Sequence, residues 1–315
     1  MSSQQGNILL CPGQGAQLVG MGKGWSEACA KARAVFDAAD EVLGDTIGGI
    51  RFSTLCFEGP ADVLNRTNAS QPALYTCAVA SYAGLCEQQE LTGEPAACAG
   101  LSLGEYTALH LAGVFSFEDG LRLVAQRGHY MQEAAEASDG SMVALTGATE
   151  QQAEELAAAA AGDSGVLVCA NFNATGQIVL SGDAAACERA VGLAGEKGLR
   201  ATPLVVAGAF HSPHMEPAAQ RMGQALDTVP FAAPQCPVVS NVTAQPHDGA
   251  DPDSIKRLLV QQITSPVRWS ESCIWMGSQY SGPYHELAPG RVLTGLMRRI
   301  NREIKVVNHD QPKTD

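Results

Sequence analysis

A serine that attacks a carbonyl needs three things: a backbone that holds its hydroxyl out, a base, and N–H groups for the charge that develops on oxygen. Gly100-Leu101-Ser102-Leu103-Gly104 has the form G-x-S-x-G. It lies between a short apolar run, Ala96–Gly100, and a helical pattern from Glu105 to about Leu111. That is the setting of a nucleophile elbow, a turn so tight that only glycine fits on either side of the serine. The N–H groups opening the next helix aim at the same spot. Ser102 is therefore a candidate nucleophile; the competing reading is a plain glycine-serine turn.

Among the 7 histidines, His211 is the best placed to act as its base. It sits in Gly208-Ala209-Phe210-His211-Ser212-Pro213-His214, after an expected strand and before an expected helix. A metal pair of His211 with His214 lacks a third ligand, and Pro213 disturbs the face between them. His110, His129, His247, His285 and His309 read as structural or solvated. A hydrolase triad adds an acid between Ser and His in chain order. Asp119, Asp139, Asp163 and Asp183 fall in that interval, but most stand at helix starts or in a separate unit. Their capping role points to a dyad whose imidazole is oriented by a neutral acceptor. Arg127 lies on an amphipathic helix. It reads as a surface ion-pair partner or, if buried beside the serine, as a bidentate clamp for an acidic acyl group.

Two glycine-rich turns are not nucleotide sites. Gly13-Gln14-Gly15 is followed by Leu18 where G-x-G-x-x-G needs glycine, and no Ser or Thr follows Lys23 in Gly20-Met21-Gly22-Lys23-Gly24.

These residues need a frame. Asn7–Cys11 reads as a buried strand. Helical patterns cover about Glu27–Leu43 and Gln71–Glu90. Ser116 caps a helix to about Glu136, with Asp119 at the third position. Strands alternating with helices predict a doubly wound, mainly parallel sheet of the α/β class. Ser141–Gly147, a helix capped by Thr149, Val166–Ala170, Gln177–Ser181, a helix opened by Asp183 and Arg200–Val206 then spell β-α-β-β-α-β, a ferredoxin-like unit. The expected organisation is a large α/β domain of residues 1–138 and 207–315, with residues 139–206 inserted. The larger pattern resumes with a helix after Pro213, a strand at Pro237–Ser240, helices near Asp253–Ile263 and Val267–Gly277, a strand at Tyr284–Leu287 and a helix from Arg291 to Ile300. Asp310–Asp315 is expected to fray.

The chain has 315 residues and a net charge of −13, from 20 basic and 33 acidic side chains. That balance argues against a general nucleic-acid or anionic-lipid surface, and aromatics at 5% argue against base stacking. No apolar run approaches the ~20 residues of a membrane span, and the first residues lack a secretory pattern. The 10 cysteines are scattered without a C-x-x-C pair, which suits reduced core thiols in an intracellular protein.

Taken together, the motifs closely resemble those of the malonyl-CoA:acyl-carrier-protein transacylase family of type II fatty acid synthesis. The resemblance runs over nearly the whole chain: Pro12–Gln17, Gly100–Tyr106, Gln126–Gly128, Gly208–His211, Val239–Val242, Ser265–Trp269 and Glu286–Leu296. It implies a hydrolase-like α/β domain with an inserted ferredoxin-like subdomain. It implies Ser102 as nucleophile and His211 as base, oriented by the main-chain carbonyl of Gln262. Gln14 and Leu103 would offer N–H groups to the oxyanion. Arg127 would hold the malonyl carboxylate, and Phe210 would crowd an α-methyl group. No bound cofactor is implied; malonyl-CoA and the phosphopantetheine arm of acyl carrier protein would be substrates, and a monomer is expected.

Acyl carrier protein is itself acidic, so a local patch of Arg298 and Arg299, with Lys197 and Arg200, is expected near the cleft. Two positions depart from the family pattern. Leu101 stands where most bacterial members have His, and Ala288 where Gly is usual. Leu101 with Thr107-Ala108, and the Gly208–His211 and Ser240–Pro246 segments, resemble plant and algal plastid members. The expected location is therefore the plastid stroma, or the cytoplasm in a bacterium. The rival functions are a serine thioesterase or esterase acting on acyl-CoA, and a non-catalytic scaffold.

Overall fold

Three short strands are buried along their whole length: the apolar β1 (Ile8–Cys11) and β2 (Ala97–Gly100) and, later in the chain, Tyr284–Leu287, which includes the polar His285 and Glu286. Strands with no solvated face belong in a parallel sheet covered by helices on both sides. The computed structural model, which describes residues 5–313, has that arrangement. The strands that follow are β3 (Gly140–Thr146), β4 (Leu167–Ala174), β5 (Gln177–Asp183), β6 (Arg200–Pro203), β7 (Val238–Val239), β8 (Tyr284–Leu287) and β9 (Val306–His309). One sheet has the order β7-β2-β1-β8-β9, with every neighbour parallel. The other is antiparallel, in the order β4-β5-β3-β6. The protein is thus α/β, with a parallel sheet and a separate antiparallel one.

The antiparallel sheet packs helices Glu150–Ala161 and Ala184–Glu196 over a core of its own, which includes Val143, Leu145, Leu156, Phe172 and Leu180. Thr149 and Gln152 form the reciprocal capping box at the first helix. Asp183 precedes the second helix but makes no side-chain cap; its Oδ2 accepts from the Val166 N–H instead. The ladder shifts register on β4 between Cys169 and Asn171 and between Phe172 and Ala174. There the strand turns to the other half of the molecule: Phe172 N–H donates to Val267 O (2.9 Å) and Val267 N–H to Ala170 O (2.8 Å).

Several elements differ from the sequence expectation. The helical pattern Glu27–Leu43 is two helices, Lys23–Ala28 and Ala30–Leu43, separated where Cys29 is extended (φ −130°, ψ 128°). Helices Phe52–Glu58 and Ala61–Leu64 had no periodicity long enough to be read. The helix expected from Gln71 starts at Thr67 and carries Pro72 inside it. Strand β6 ends at Pro203, and beyond it Val205 is fully exposed. The C-terminal segment is tied down rather than frayed: β9 pairs with β8, Trp25 Nε1 donates to His309 O (3.1 Å), and Gly290 N–H donates to Asp310 Oδ1 (2.6 Å). Residues 314 and 315 of that expectation lie outside the described residues. All 10 cysteines are free thiols and only Cys86 is not buried. Among the described residues no helix is long and apolar enough to cross a membrane.

Candidate active site

The elbow is built by steric exclusion. A Cβ on Gly100 would collide with the Gly104 backbone, and one on Gly104 with the carbonyl of Cys11 at the end of β1. Gly13 is held as tightly, against the Leu101 carbonyl. The turn between Gly100 and Gly104 places Ser102 at φ 52°, a left-handed conformation that a side chain adopts only when its surroundings enforce it. Asn241 enforces it here: its Oδ1 accepts from the Ser102 N–H (2.6 Å) while its Nδ2 donates to Gly100 O (2.8 Å). Helix Gly104–Leu111 starts directly beyond.

His211 lies 109 residues further along, also at positive φ (56°), and its Nε2 is 2.8 Å from Ser102 Oγ. Its Nδ1 lies 2.8 Å from the main-chain carbonyl of Gln262, so the proton sits on Nδ1 and Nε2 is free to accept. Burial, with the neighbouring Arg127 charge as the second cause, holds the imidazole down at about 4. It is therefore neutral, as a base must be before it acts.

Arg127 sits on helix Phe117–Glu136 and is 1% exposed. Its Nη1 donates to Gln71 Oε1 (2.7 Å), and its Nη2 to Gln262 Oε1 (2.8 Å) and Ser102 Oγ (3.1 Å). The Tyr106 ring lies below it, 5.5 Å away. None of these partners is an anion, and Nε is buried without one. Burial lowers the guanidinium's proton affinity. A buried cation held by neutral oxygens is costly, and a carboxylate beside Ser102 would complete it.

The three groups line one cavity of about 770 Å³. Gln14 and Leu103 face it as well. Neither main-chain N–H donates to a protein acceptor among the described residues, so both remain available to an oxyanion. Phe210 is buried in the wall. Arg298, Arg299, Lys197 and Arg200 are exposed but none lines the cavity; besides the buried Arg127, the lining carries the exposed Arg66. Val205, Val206 and Val292 are exposed apolar groups on the same lining.

Sequence reasoning missed Gln71, Glu105, Asn241 and His247. Glu105 Oε2 accepts from Gln262 Nε2 (2.6 Å) and the Asn241 N–H (3.1 Å), and its Oε1 lies 2.7 Å from His247 Nε2. All four of these residues are buried. The only local signal for Glu105 was its position directly after the elbow. His214 meets Asp183 (2.8 Å) rather than His211, and no cluster among the described residues suits a metal.

An elbow serine, a buried imidazole and a strand–turn–helix frame define an enzyme that passes an acyl group through an ester. Residues 8–295 match the family described as acyl transferase domain, and the chain belongs to that family. It is 39% identical over 307 residues to the malonyl CoA-acyl carrier protein transacylase of Bacillus subtilis, covering 97% of this chain and 93% of the relative. The solved acyl-carrier-protein S-malonyltransferase of Bartonella henselae superposes with a TM-score of 0.91 at 43% identity, covering 98% and 96% of the two chains. A type II polyketide acyl-carrier protein in complex with its malonyl-transacylase superposes through the enzyme chain with a TM-score of 0.90, at 34% identity over 98% and 97%.

Proposed function

We propose that this protein moves the malonyl group of malonyl-CoA to the phosphopantetheine thiol of acyl carrier protein, through a malonyl ester on Ser102. The observation that carries the reading is Arg127, a buried cation without an anionic partner, 3.1 Å from the serine hydroxyl. It selects a donor with a carboxylate at the far end of its acyl group.

In the first half-reaction His211 Nε2 takes the Ser102 proton as Oγ attacks the thioester carbonyl. The oxyanion rests on the N–H groups of Gln14 and Leu103, each worth about 3 kcal/mol in such sites. The intermediate collapses, CoA sulfur leaves with the proton from His211, and malonyl-serine remains. In the second half-reaction the carrier thiol gives its proton to His211 and attacks the ester, and Ser102 regains its proton. The malonyl carboxylate also neutralises the charge that depresses His211, so a correct donor strengthens the base as it binds. Phe210 narrows the space beside the α-carbon. The acidic carrier approaches a mouth bordered by Arg66 and exposed valines, with Arg298, Arg299, Lys197 and Arg200 as more distant contributors. The enzyme works without a bound cofactor and as a monomer.

The test is intact mass after mixing with malonyl-CoA. The expected result is one added malonyl unit, absent in Ser102→Ala and lost again on adding holo carrier protein. Steady hydrolysis of acyl-CoA with no transfer would replace this reading by a thioesterase.

The narrower assignment, a plastid-type member acting in the stroma, is supported by Leu101, Thr107-Ala108 and the Gly208–His211 and Ser240–Pro246 segments. The relatives compared above that carry an organism name are bacterial, for which the setting is the cytoplasm. Imaging the full gene product as a fluorescent fusion in its own cell separates the two locations.

A further inference from the structure

The imidazole of this site has no carboxylate partner of its own, since Gln262 presents a neutral carbonyl to Nδ1. Yet a fully buried carboxylate lies on the other side of that same residue. Gln262 is a junction. Its carbonyl holds His211, its Oε1 accepts from Arg127, and its Nε2 donates both to Ser102 O (3.0 Å) and to Glu105 Oε2 (2.6 Å). Glu105 also accepts from the N–H of Asn241, the residue whose side chain clamps the elbow. One acid therefore touches, through one intervening residue each, the nucleophile, the base and the cation.

We propose that Glu105 is the positioning acid of this site: through Gln262 and Asn241 it fixes Ser102, His211 and Arg127, and its charge supports the imidazolium that forms in each half-reaction. The inference rests on the transfer reaction proposed above.

The geometry argues for a charged acceptor. Two of the groups facing Glu105 are donors: the Asn241 N–H, and Gln262 Nε2, which faces it because Gln262 Oε1 is taken by Arg127. The third, His247 Nε2, completes the set, while His247 Nδ1 is buried without a partner. A buried carboxylate that accepts from every side has the coordination expected of the ionised form. The charged and titratable groups around it are His247, Arg127, Tyr106 and His211. Arg127 is the cation among them whose charge opposes protonation of His211, and Glu105, whose charge acts on Arg127, is placed to offset it. A triad places its acid directly on the imidazole. Here the acid is one amide away, so it can order three groups at once.

The experiment compares wild type, Glu105→Gln and Gln262→Met in the two half-reactions, with melting temperature as the control for folding. Glu105→Gln keeps the shape, and His247 can accommodate the new amide by moving its proton to Nδ1. We expect kcat to fall at least tenfold with the KM for malonyl-CoA within twofold. The acid limb of the kcat profile should move to lower pH, because losing a nearby negative charge disfavours the imidazolium. Gln262→Met keeps the carbonyl that holds His211 and the charge of Glu105 but cuts the side-chain links to Glu105, Arg127 and Ser102; kcat should fall at least tenfold with the acid limb in place, and an unchanged kcat overturns the proposal even if Glu105→Gln does not fold. A kcat within twofold of wild type in either folded variant, or a loss of kcat with the limb unmoved in Glu105→Gln, overturns the proposal. If wild type itself takes no malonyl group, the transfer reading fails and takes this inference with it. If wild type is acylated and both variants keep its kcat and profile, only the role of Glu105 fails.

Discussion

The two sheets are held together by different physics. Around the parallel sheet, the core includes Glu105, Arg127, Asn241, His211 and Gln262, all buried and joined by hydrogen bonds. The core of the antiparallel sheet is apolar, from Val143 and Leu145 through Leu156 to Leu180. A buried polar group left without a partner is costly, and a network that pairs its members is demanding about geometry. An apolar core of the right volume accepts more change. The molecule thus concentrates its polar burial where proton transfer and charge recognition occur, and uses the small sheet as a wall. Met142 of β3 and Val179 of β5 reach the cavity from that wall.

If that division holds, the largest effect should follow from Arg127→Ala. It leaves Gln71 and Gln262 without this donor and removes the guanidinium that touches Ser102. Breaking a buried charged pair typically costs about 3–5 kcal/mol, so malonyl transfer should fall on the order of 10²–10³-fold. Acetyl transfer, or hydrolysis, should rise relative to malonyl transfer, because the substitution also relieves His211 of the charge that depresses it. Steady-state rates with the two donors check this. A variant that still prefers malonyl-CoA by the wild-type margin would remove Arg127 from the role.

Leu180→Ala asks the opposite question of the other half. Leu180 is wholly buried on β5. Its truncation should destabilise the fold by about 2–5 kcal/mol, seen as a lower urea midpoint. Acylation of Ser102 measured well below the transition should stay within a few-fold of wild type. Abolished acylation in a folded protein would mean that the wall sets the catalytic geometry, against the division drawn here.

The same contrast explains what the sequence made legible. The elbow could be read because its G-x-S-x-G pattern is local: a Cβ on Gly100 would meet Gly104 a few residues on, even though Gly104 is itself confined by Cys11 on the neighbouring strand. Ser116 and Thr149 could be read for the same reason, as each caps its helix within three residues. The small sheet announced itself through turns and alternating patterns. Glu105, Asn241 and His247 could not be assembled, because their hydrogen bonds span 136 and 142 positions and nothing in residue type marks a buried acid. His247 was read as structural or solvated; it is buried against Glu105. Cys29 shows another limit. The helical periodicity continues through it, but the backbone leaves the helix there, and tertiary packing made that choice.

The smallest effect concerns acid, and it too should divide the halves. Burial holds both His211 and His309 down to about 4, against an ordinary 6.5. Above pH 6.5 neither the folded nor the unfolded chain protonates them. Between 6.5 and 4 the unfolded chain binds protons that the folded chain refuses, so stability falls as pH falls through that window and levels off below it. For fully buried His211 the loss by pH 4 is about 3 kcal/mol. His309 adds an increment of the same sign. It stacks on His285 at the β8–β9 edge of the parallel sheet, with His285 Nδ1 2.9 Å from its Nε2. The sequence has no histidine between residues 139 and 206, the segment that carries the antiparallel sheet. Lowering pH from 7 to 4.5 should therefore reduce amide-exchange protection factors, corrected for the slower intrinsic exchange in acid, more in β1, β8 and β9 than in β3 and β5. His309→Gln should flatten the dependence of the urea midpoint on pH without changing the transfer rate at pH 7. An equal loss of protection in both sheets, or a His309→Gln midpoint that tracks wild type across the window, would locate the acid sensitivity elsewhere and break the division at its weakest point.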